Sequence, residues 1–261
     1  ATGGTLTISD ADSGEASFTA QTTAGTYGIF TLATNGVWTY TALNTNPAIQ
    51  ALGTGDTLTE TFTVTAADGT TSSVVVTING TNDGPVAQAN SLSTDEDTAL
   101  TIAPATLLAN DSDVDGDTLT IATVQDAVNG SVALVGGNVV FTPAANYNGP
   151  ASFTYTVSDG NGGTSTATVN LAINPVNDVP TANADTASTA INTALPSIAV
   201  LANDSDADGD TLTVTSATLA NPALGSVSIN PDGTLAFTPA LNVAGLVIIN
   251  YTISDGQGGT S

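Results

Sequence analysis

The sequence predicts an all-β protein built from several antiparallel β-sandwich domains in a row. Apolar residues alternate with polar ones in short runs, as in Phe153, Tyr155 and Val157. This period of two places their side chains on one buried face of a sheet. Turn signals such as Asn35-Gly36 separate the runs. Many short strands joined by regular turns are typical of a β-sandwich.

The same alternation recurs along the chain, and one segment departs from it. Two further runs are Val74, Val76 and Ile78, and then Ile249, Tyr251 and Ile253. The departure begins at Asn46, which is followed by Pro47 and an apolar stretch that ends at Leu52. Asn is a preferred helix cap and Pro is favoured at the first helical position, so we predict one or two helical turns there.

Internal repeats predict three domains. TNDGPVAQANSLST at Thr81 recurs as VNDVPTANADTAST at Val176, 95 residues later, and YTVSDGNGGTS at Tyr155 recurs as YTISDGQGGTS at Tyr251, 96 residues later. The first 82 residues differ but close in the same way, with FTVTAADGTTSSVVVTINGTND. We therefore expect modules at 1–82, 83–177 and 178–261, joined through Asn-Asp-x-Pro segments. They are called the first, second and third modules below.

Composition narrows the possible functions. The chain has 24 acidic residues and no Lys, Arg or His, so its formal net charge is −24. Such a charge argues against nucleic acid and anionic membranes as partners. No apolar run approaches 18 residues, so we expect no membrane insertion. Without His, Cys, Lys or Arg, the usual nucleophile–base pairs cannot be built, and we predict a non-enzymatic protein. Paired carboxylates that hydrolyse glycosides are the enzymatic alternative.

Two loops concentrate aspartates at every second position. They read LANDSDVDGDTLTI from Leu108 and LANDSDADGDTLTV from Leu201. A tight loop with this spacing and a Gly can turn several carboxylates toward one hard cation, and Ca²⁺ takes six to eight oxygen ligands. The loops are not EF-hands, because the twelfth position counted from the first Asp is Ala122 rather than Glu. The predicted ligands are Asp111, Asp113, Asp115, Asp117, Asp204, Asp206, Asp208 and Asp210.

Plain turn chemistry is the alternative for these loops, since Asp, Asn, Ser and Gly all favour turns. Mutual repulsion of four carboxylates without any basic side chain favours calcium over that alternative. Magnesium fits less well, because it keeps its waters and prefers a strict octahedron. Further oxygen-rich positions lie near the predicted domain ends. They are Asp10, Asp12, Asp68, Asn82, Asp83, Glu96, Asp159, Asn177, Asp178 and Asp255.

Several sequence motifs also resemble known repeat families. VLANDSDADGDTLTV, FTPAANYNG, FTYTVSDGNGGTSTATV and NPVND-x-P resemble two bacterial cadherin-like, immunoglobulin-type repeats over residues 83–261. GGTLTISDADSGEASF, GTYGIFTL and GVWTYTAL resemble a VCBS-type repeat over residues 3–82. Such repeats are similar to segments of large, secreted bacterial surface adhesins of the RTX type. The resemblance implies an extracellular, cell-surface stalk that calcium stiffens and that supports adhesion or biofilm formation.

The same resemblance implies how ions are shared at the joints, where linker, loop and hairpin donors meet. Near residue 82 it implies Asn82, Asp83, Asp111, Asp113 and Asp159. Near residue 177 it implies Glu96, Asn177, Asp178, Asp204, Asp206 and Asp255. The number of ions per joint stays open. The implied partners are neighbouring repeats or neighbouring chains and, through other domains, cell-surface glycans or proteins.

The third module lacks the counterpart of one strand. Ser261 corresponds to Ser165, and the alternating run that follows Ser165 has no equivalent. Two explanations stay open: residues 1–261 are a piece of a longer tandem array, or they form a filament in which a neighbouring chain supplies the strand. A carbohydrate-binding module is a third function, for which the candidate aromatics are Tyr27, Trp38, Tyr40 and Tyr147. Trp38 and Tyr40 alternate within a strand, which favours a core position for both.

Overall fold

The computed structural model describes residues 1–11 and 15–261, and the predicted ligand Asp12 lies outside them. The described backbone forms two compact units. The first comprises Ala1–Leu92, Ala99–Thr142 and Pro150–Ala172, and the second comprises Ser93–Thr98, Pro143–Gly149 and Ile173–Ser261. Within the described ranges, no helix combines the length and the apolar character that crossing a membrane requires.

Residues 1–82 form two antiparallel sheets and one short helix. The strands are β1 (Thr2–Thr5), β2 (Gln21–Ala24), β3 (Gly28–Leu32), β4 (Val37–Ala42), β5 (Thr57–Thr65) and β6 (Thr71–Asn79). One sheet has the order β1-β4-β3-β2, and β5 pairs with β6 in the other. Helix α1 (Pro47–Gln50) begins after Asn46, whose side chain accepts a hydrogen bond from the Ala48 N–H at 2.9 Å. This confirms the predicted cap.

The two sheets of the first module pack around aromatic rings. Phe30 on β3 stacks on Phe62 on β5 with ring centroids 4.8 Å apart. Tyr40 is buried beside them, and its hydroxyl donates to Glu60 at 2.7 Å. Val74 and Val76 lie in the same buried cluster, which confirms the inward face predicted for β6. A sandwich core therefore forms from alternate residues of both sheets.

The second module forms a sandwich of the same kind. Its strands are β7 (Asn90–Asp95), β8 (Leu100–Ile102), β9 (Thr120–Val128), β10 (Gly130–Val135), β11 (Asn138–Pro143), β12 (Gly149–Ser158) and β13 (Thr164–Asn174). The sheets have the orders β10-β11-β8 and β7-β13-β12-β9. Phe141 on β11 stacks on Phe153 on β12 across the core, with centroids 5.9 Å apart. Phe153, Tyr155 and Val157 are fully buried, as the alternation predicts.

One α-helix of the described residues was missed by the sequence prediction, which allowed only the turn at Asn46. Helix α2 (Pro104–Leu107) runs into a 3-10 turn at Leu108–Asn110, immediately before the first Asp-rich loop. Pro104 stands at the start of the helix, and Leu107 is fully buried. Four residues are too few to show a helical period, so tertiary burial of Leu107 rather than pattern decides this turn.

The third module has fewer paired strands. They are β14 (Leu195–Ile198), β15 (Thr213–Leu219), β16 (Gly225–Ile229), β17 (Leu235–Pro239) and β18 (Ile249–Ser254). The sheets are β14-β17-β16 and β15-β18, and 3-10 turns lie at Val200–Ala202 and Pro222–Leu224. Ile253 on β18 is fully buried, whereas Ile249 and Tyr251 are only half-buried. The predicted alternation is present, but its inward face is incompletely covered. The predicted fold class of tandem antiparallel β-sandwiches is confirmed.

Candidate metal centres

The first Asp-rich loop turns its alternate side chains inward. Ser112, Val114 and Gly116 are exposed, and Gly116 has a φ of +81°, which an L side chain rarely adopts. The residues between them are partly buried: Asp111, Asp113, Asp115 and Asp117. The four aspartates thus share the less exposed side of a loop that bends at Val114 and Asp115.

A first acidic cluster forms within the first unit. It comprises Asn82, Asp83, Asp113, Asp115, Asp117 and Asp159. Carboxylate oxygens of Asp113, Asp117 and Asp159 all lie within 4.8 Å of one another. The Asp113 carboxylate also accepts a hydrogen bond from the Asp115 N–H at 2.9 Å, so the loop backbone holds it in place.

The linker at residue 82 is tied to both flanking modules. The Asn82 N–H donates to the Thr54 hydroxyl at 3.2 Å, and its side-chain amide donates to Asp159 at 2.8 Å. The next N–H, that of Asp83, donates to the Asp115 carboxylate at 2.7 Å, while the Asp83 side chain is exposed. Linker backbone and loop carboxylates thus form one connected network.

A second acidic cluster forms within the second unit. It comprises Glu96, Asn177, Asp178, Asp206, Asp208, Asp210 and Asp255. Carboxylate oxygens of Asp206, Asp208 and Asp210 lie within 4.8 Å of one another. The Asp178 N–H donates to Asp208 at 2.7 Å, repeating the contact between Asp83 and the first loop.

Glu96 enters the second cluster from the far end of the second module. Its side chain is only 3% exposed, and one carboxylate oxygen accepts the Val176 N–H at 2.7 Å. The Glu96 N–H in turn donates to the Asn174 carbonyl at 2.9 Å. The residue is therefore held against the linker by two hydrogen bonds, one from its backbone and one to its side chain.

Asp159 is a structural anchor as well as a cluster member. One of its oxygens accepts the Asn161 N–H at 2.8 Å and the Gly163 N–H at 3.0 Å, and the other accepts the Asn82 amide. The hydrogen bond from Asn82 and those from the hairpin backbone hold the pKa of Asp159 below its usual range. Asp159 is thus kept ionised and oriented toward the linker.

Asp255 repeats this arrangement in the third module. It accepts the Asn177 amide at 2.8 Å and the Gly259 N–H at 2.9 Å, and the Asn177 bond is the main cause of its lowered pKa. A Cβ at Gly259 or at its counterpart Gly163 would collide with the Asp carboxylate. The sequence analysis did not select these glycines, although the repeated word Asp-Gly-x-Gly-Gly contains the signal.

Six buried side-chain atoms of the described residues have no hydrogen-bond partner, and all six are oxygens of the two clusters. They are Asn82 Oδ1, Asp113 Oδ2 and Asp115 Oδ1 in the first cluster, and Glu96 Oε2, Asp178 Oδ2 and Asp206 Oδ2 in the second. Buried polar atoms are normally satisfied, so the three unpartnered oxygens of each cluster mark a place where a cation could bind. A donor set made only of carboxylate and amide oxygens fits calcium.

Like charges dominate the second cluster. The pKa of Asp178 is raised by burial first and then by Asp208, and that of Asp210 is raised by burial and then by Asp206 and Asp208. The two raised pKa values mean that full ionisation of the second cluster is unfavourable when no cation is bound. The sequence has no Lys, Arg or His that could offset this charge.

Two predicted ligands are hydrogen-bonded to tyrosines at the base of the loops. Asp111 accepts the Gln88 N–H at 2.7 Å and lies 3.0–3.2 Å from the buried Tyr155 hydroxyl. Asp204 lies 3.3 Å from the Tyr251 hydroxyl in the same way. Burial and the neighbouring Asp raise the pKa of both tyrosines, so they stay neutral donors. The sequence analysis treated these tyrosines only as core residues.

Two other predicted ligands are not among the carboxylates that lie close together. Asp10 and Asp68 belong to neither group of close carboxylates, and Asp68 accepts the Thr70 N–H and hydroxyl at 2.8 Å within an exposed turn. Trp38 packs on Phe30 with ring centroids 5.9 Å apart, which supports the core interpretation of this aromatic.

Comparison with known families finds three consecutive matches. A bacterial cadherin-like domain matches residues 1–80, a cadherin-like domain matches residues 81–174, and a bacterial Ig domain matches residues 177–261. Bacterial cadherin-like and Ig-like domains thus follow one another in tandem. Such domains are typically non-enzymatic structural modules, and they suggest an extracellular or surface location. No curated protein matches the chain.

Solved structures of cadherin domains share the fold. PcdhgB3 EC1-4 is 12% identical with a TM-score of 0.54, over 100% of this chain and 69% of that one. The protocadherin GammaB4 extracellular domain is 16% identical with a TM-score of 0.51, over 99% and 45%. An endo-fucoidan hydrolase of glycoside hydrolase family 107 is 20% identical with a TM-score of 0.29, over 94% of this chain and 37% of that one.

Proposed function

We propose that this tandem array of cadherin-like and Ig-like domains is a calcium-rigidified stalk segment of a large secreted bacterial surface adhesin of the RTX type. It would extend a binding domain away from the cell in support of adhesion or biofilm formation. The observation that carries the proposal is the set of six buried, unpartnered oxygens, all of which lie in the two acidic clusters.

Calcium would supply the missing positive charge. In the first cluster Asn82, Asp113, Asp115, Asp117 and Asp159 would hold it. In the second cluster Glu96, Asp178, Asp206, Asp208 and Asp210 would do so. The ion would satisfy the unpartnered oxygens and offset the like-charge repulsion that burial makes costly.

The proposed mechanical effect follows from where the donors lie in the chain. Asn82 is a linker residue, whereas Asp113 and Asp159 belong to the module after it. Without metal, only hydrogen bonds connect linker and loop, and the carboxylates repel one another. An ion that takes donors from both would couple them, and it would stabilise the ordered state because it binds that state preferentially.

The calcium concentration would then set how rigidly each linker is held against the module that follows it. Extracellular modules bind calcium at roughly 10⁻⁴–10⁻³ M, a range suited to fluids outside the cell.

Small-angle X-ray scattering of residues 1–261 tests the stalk proposal. Metal-stripped protein and protein in 5 mM calcium are compared, with the Asp113→Asn/Asp206→Asn double variant as a third sample. We expect calcium to narrow the pair-distance distribution and to change the maximum dimension of the wild type, with little change in the double variant. Identical distributions with and without calcium would refute the proposal. Binding of the isolated chain on a glycan array would favour a direct carbohydrate-binding role.

A further inference from the structure

The two acidic clusters differ in what the module before the linker contributes. In the second cluster that module contributes Glu96, whose side chain is 3% exposed and whose Oε2 is buried without a hydrogen-bond partner. Its other oxygen accepts the Val176 N–H at 2.7 Å, and the adjacent Asp95 carboxylate accepts the Asn174 side-chain amide at 3.0 Å. The second module thus holds one oriented carboxylate oxygen against the linker that follows it.

The turn that carries Glu96 does not require a glutamate. In the third module, 95 residues later, Ile191 stands at the corresponding position. The next residues, Asp97 and Asn192, have φ values of +54° and +60°. Each of them accepts a backbone N–H from a residue 49 or 50 positions later, at 3.0 and 2.7 Å. Because the same turn forms around an isoleucine, backbone geometry does not explain the buried carboxylate of Glu96.

No buried carboxylate with an unpartnered oxygen comes from the described residues of the first module. Its loop beside the linker contributes neutral hydrogen bonds: the Thr54 hydroxyl accepts the Asn82 N–H at 3.2 Å, and the Asp56 carbonyl accepts the Gly80 N–H at 2.9 Å. The Asp56 side chain is exposed and is not in the group of close carboxylates. The first joint therefore lacks a counterpart of Glu96 among these residues.

A second buried glutamate shows that burial alone does not make a ligand. Glu60 in the first module is 9% exposed. Its Oε1 accepts the Tyr27 N–H at 2.8 Å, and its Oε2 accepts the Tyr40 hydroxyl at 2.7 Å. Both oxygens of Glu60 are thus satisfied inside the module, whereas one oxygen of Glu96 is not.

The unpartnered oxygens also differ in charge and in origin. In the first cluster they belong to one amide of the linker and two carboxylates of the module after it. In the second cluster all three belong to carboxylates, and Glu96, Asp178 and Asp206 come from the module before the linker, the linker and the module after it. Calcium affinity depends on the number of charged ligands and on the rigidity of the site. Glu96 adds both a charge and a fixed position to the second cluster.

We propose that the two clusters fill with calcium in a fixed order, the second at lower concentration because Glu96 contributes to it, and the first at higher concentration. This inference rests on the proposed function. An ion in the second cluster would hold the linker to the modules on both sides of it. An ion in the first cluster would hold the linker to the following module only. Calcium would therefore stiffen the array joint by joint rather than all at once.

Isothermal titration calorimetry of metal-stripped residues 1–261 with calcium tests the order. We expect two classes of site whose Kd values differ about tenfold or more, within or near the range of roughly 10⁻⁴–10⁻³ M. Asp206→Asn should weaken the tighter class, and Asp113→Asn should weaken the other class. These two variants assign each class to its cluster.

Glu96→Gln tests the role of the buried glutamate. Glutamine keeps an acceptor for the Val176 N–H and removes the charge, so the metal-free variant is expected to fold. We expect the tighter class to weaken about tenfold, so that the two classes merge. Glu60→Gln is the matched control, a buried glutamate with both oxygens hydrogen-bonded, and should leave both classes unchanged.

Thr54→Asp tests the same idea by gain of function. Thr54 is exposed, and an aspartate there keeps an acceptor for the Asn82 N–H while it adds a carboxylate from the first module. We expect the weaker class to tighten about tenfold, whereas the neutral Thr54→Asn should not change it.

Failure of this inference is distinguishable from failure of the stalk proposal. Equal affinity of the two clusters, assignment of the tighter class to the first cluster, or unchanged binding by Glu96→Gln would each overturn the order of filling. A calcium-dependent change in scattering would leave the stalk proposal standing in all three cases. No calcium binding up to 10 mM would overturn both. Loss of the tighter class in Glu96→Gln together with a gain in Thr54→Asp would support the inference.

Discussion

Replacing Asp113 by asparagine tests whether the Asp113 carboxylate binds calcium or only holds the loop in its folded conformation. The Asp113 carboxylate accepts the Asp115 N–H with one oxygen and leaves the other buried without a partner. An asparagine side chain at this position would keep the first contact through its amide oxygen and would remove one negative charge from the first cluster. We therefore expect unchanged or higher stability without metal and a smaller stabilisation by calcium.

The size of the effect follows from linkage. At 10 mM calcium and a Kd of roughly 10⁻⁴–10⁻³ M, one ion stabilises the module by about 1.4–2.7 kcal/mol. For a module of this size, 1 kcal/mol shifts Tm by roughly 4–8 °C, so calcium should raise the wild-type Tm by roughly 6–20 °C. Affinity depends on the number of ligand charges, and a tenfold weaker Kd reduces the stabilisation to about 0.4–1.4 kcal/mol. The calcium-induced shift should thus fall to about half or less.

Differential scanning calorimetry with metal-stripped and calcium-loaded protein measures both quantities, since it resolves separate transitions. Asp206→Asn is the equivalent change in the second cluster and should reduce the calcium shift of a different transition. Asp126→Asn is the matched control. Asp126 has a φ of +54°, which Asn also adopts, accepts the Thr154 hydroxyl at 3.0 Å and lies outside both clusters.

The reasoning is refuted if Asp113→Asn and the control show the same calcium shift as the wild type. It is also refuted if Asp113→Asn destabilises the metal-free protein by as much as it destabilises the calcium-loaded protein. Either result would mean that the Asp113 carboxylate acts through the loop fold rather than through an ion.

Three further outcomes are expected. In metal-stripped protein, Asp178 and Asp210 have raised pKa values, so the folded state binds their protons more tightly than the unfolded state does. Their stabilisation of the fold is therefore complete below about pH 3.9 and declines as pH rises through the folded pKa values. The lowered pKa values of Asp159 and Asp255 act oppositely, because their stabilisation is present above about pH 3.9 and is lost as pH falls through the folded values. The Tm of metal-free protein should therefore fall on both sides of a maximum that lies above about pH 3.9, and calcium should abolish the decline on the alkaline side. A flat metal-free profile would contradict this. Tyr155→Phe should lower the unfolding free energy by about 1–3 kcal/mol, because buried acceptors lose their donor, and urea titration with and without calcium checks that the loss is present in both.

Much of the fold is predictable because its signals are local. Alternation on β6 and β12, the Asn46 cap and the turn glycines all depend on neighbouring residues, and the structure agrees with each. Helix α2 was missed because four residues carry no period, and burial of Leu107 decides it.

The sequence predicts the candidate metal centres only in part. The spacing of two residues, together with Gly116, is enough to predict a tight loop that turns several carboxylates toward one point. It does not distinguish Asp113, which has a buried unpartnered oxygen, from Asp111, which is hydrogen-bonded to a tyrosine 44 positions away. That distinction depends on which strand passes under the loop.

By itself, the amino-acid sequence determined the repeat of β-modules, the absence of any basic side chain and the concentration of carboxylates at the joints, because these are properties of composition and spacing. Only the tertiary structure decided which oxygens of the described residues are buried without a partner and which aspartates are hydrogen-bonded to a tyrosine instead. Both depend on which residues from distant parts of the chain pack against an aspartate, and the local sequence does not specify those contacts.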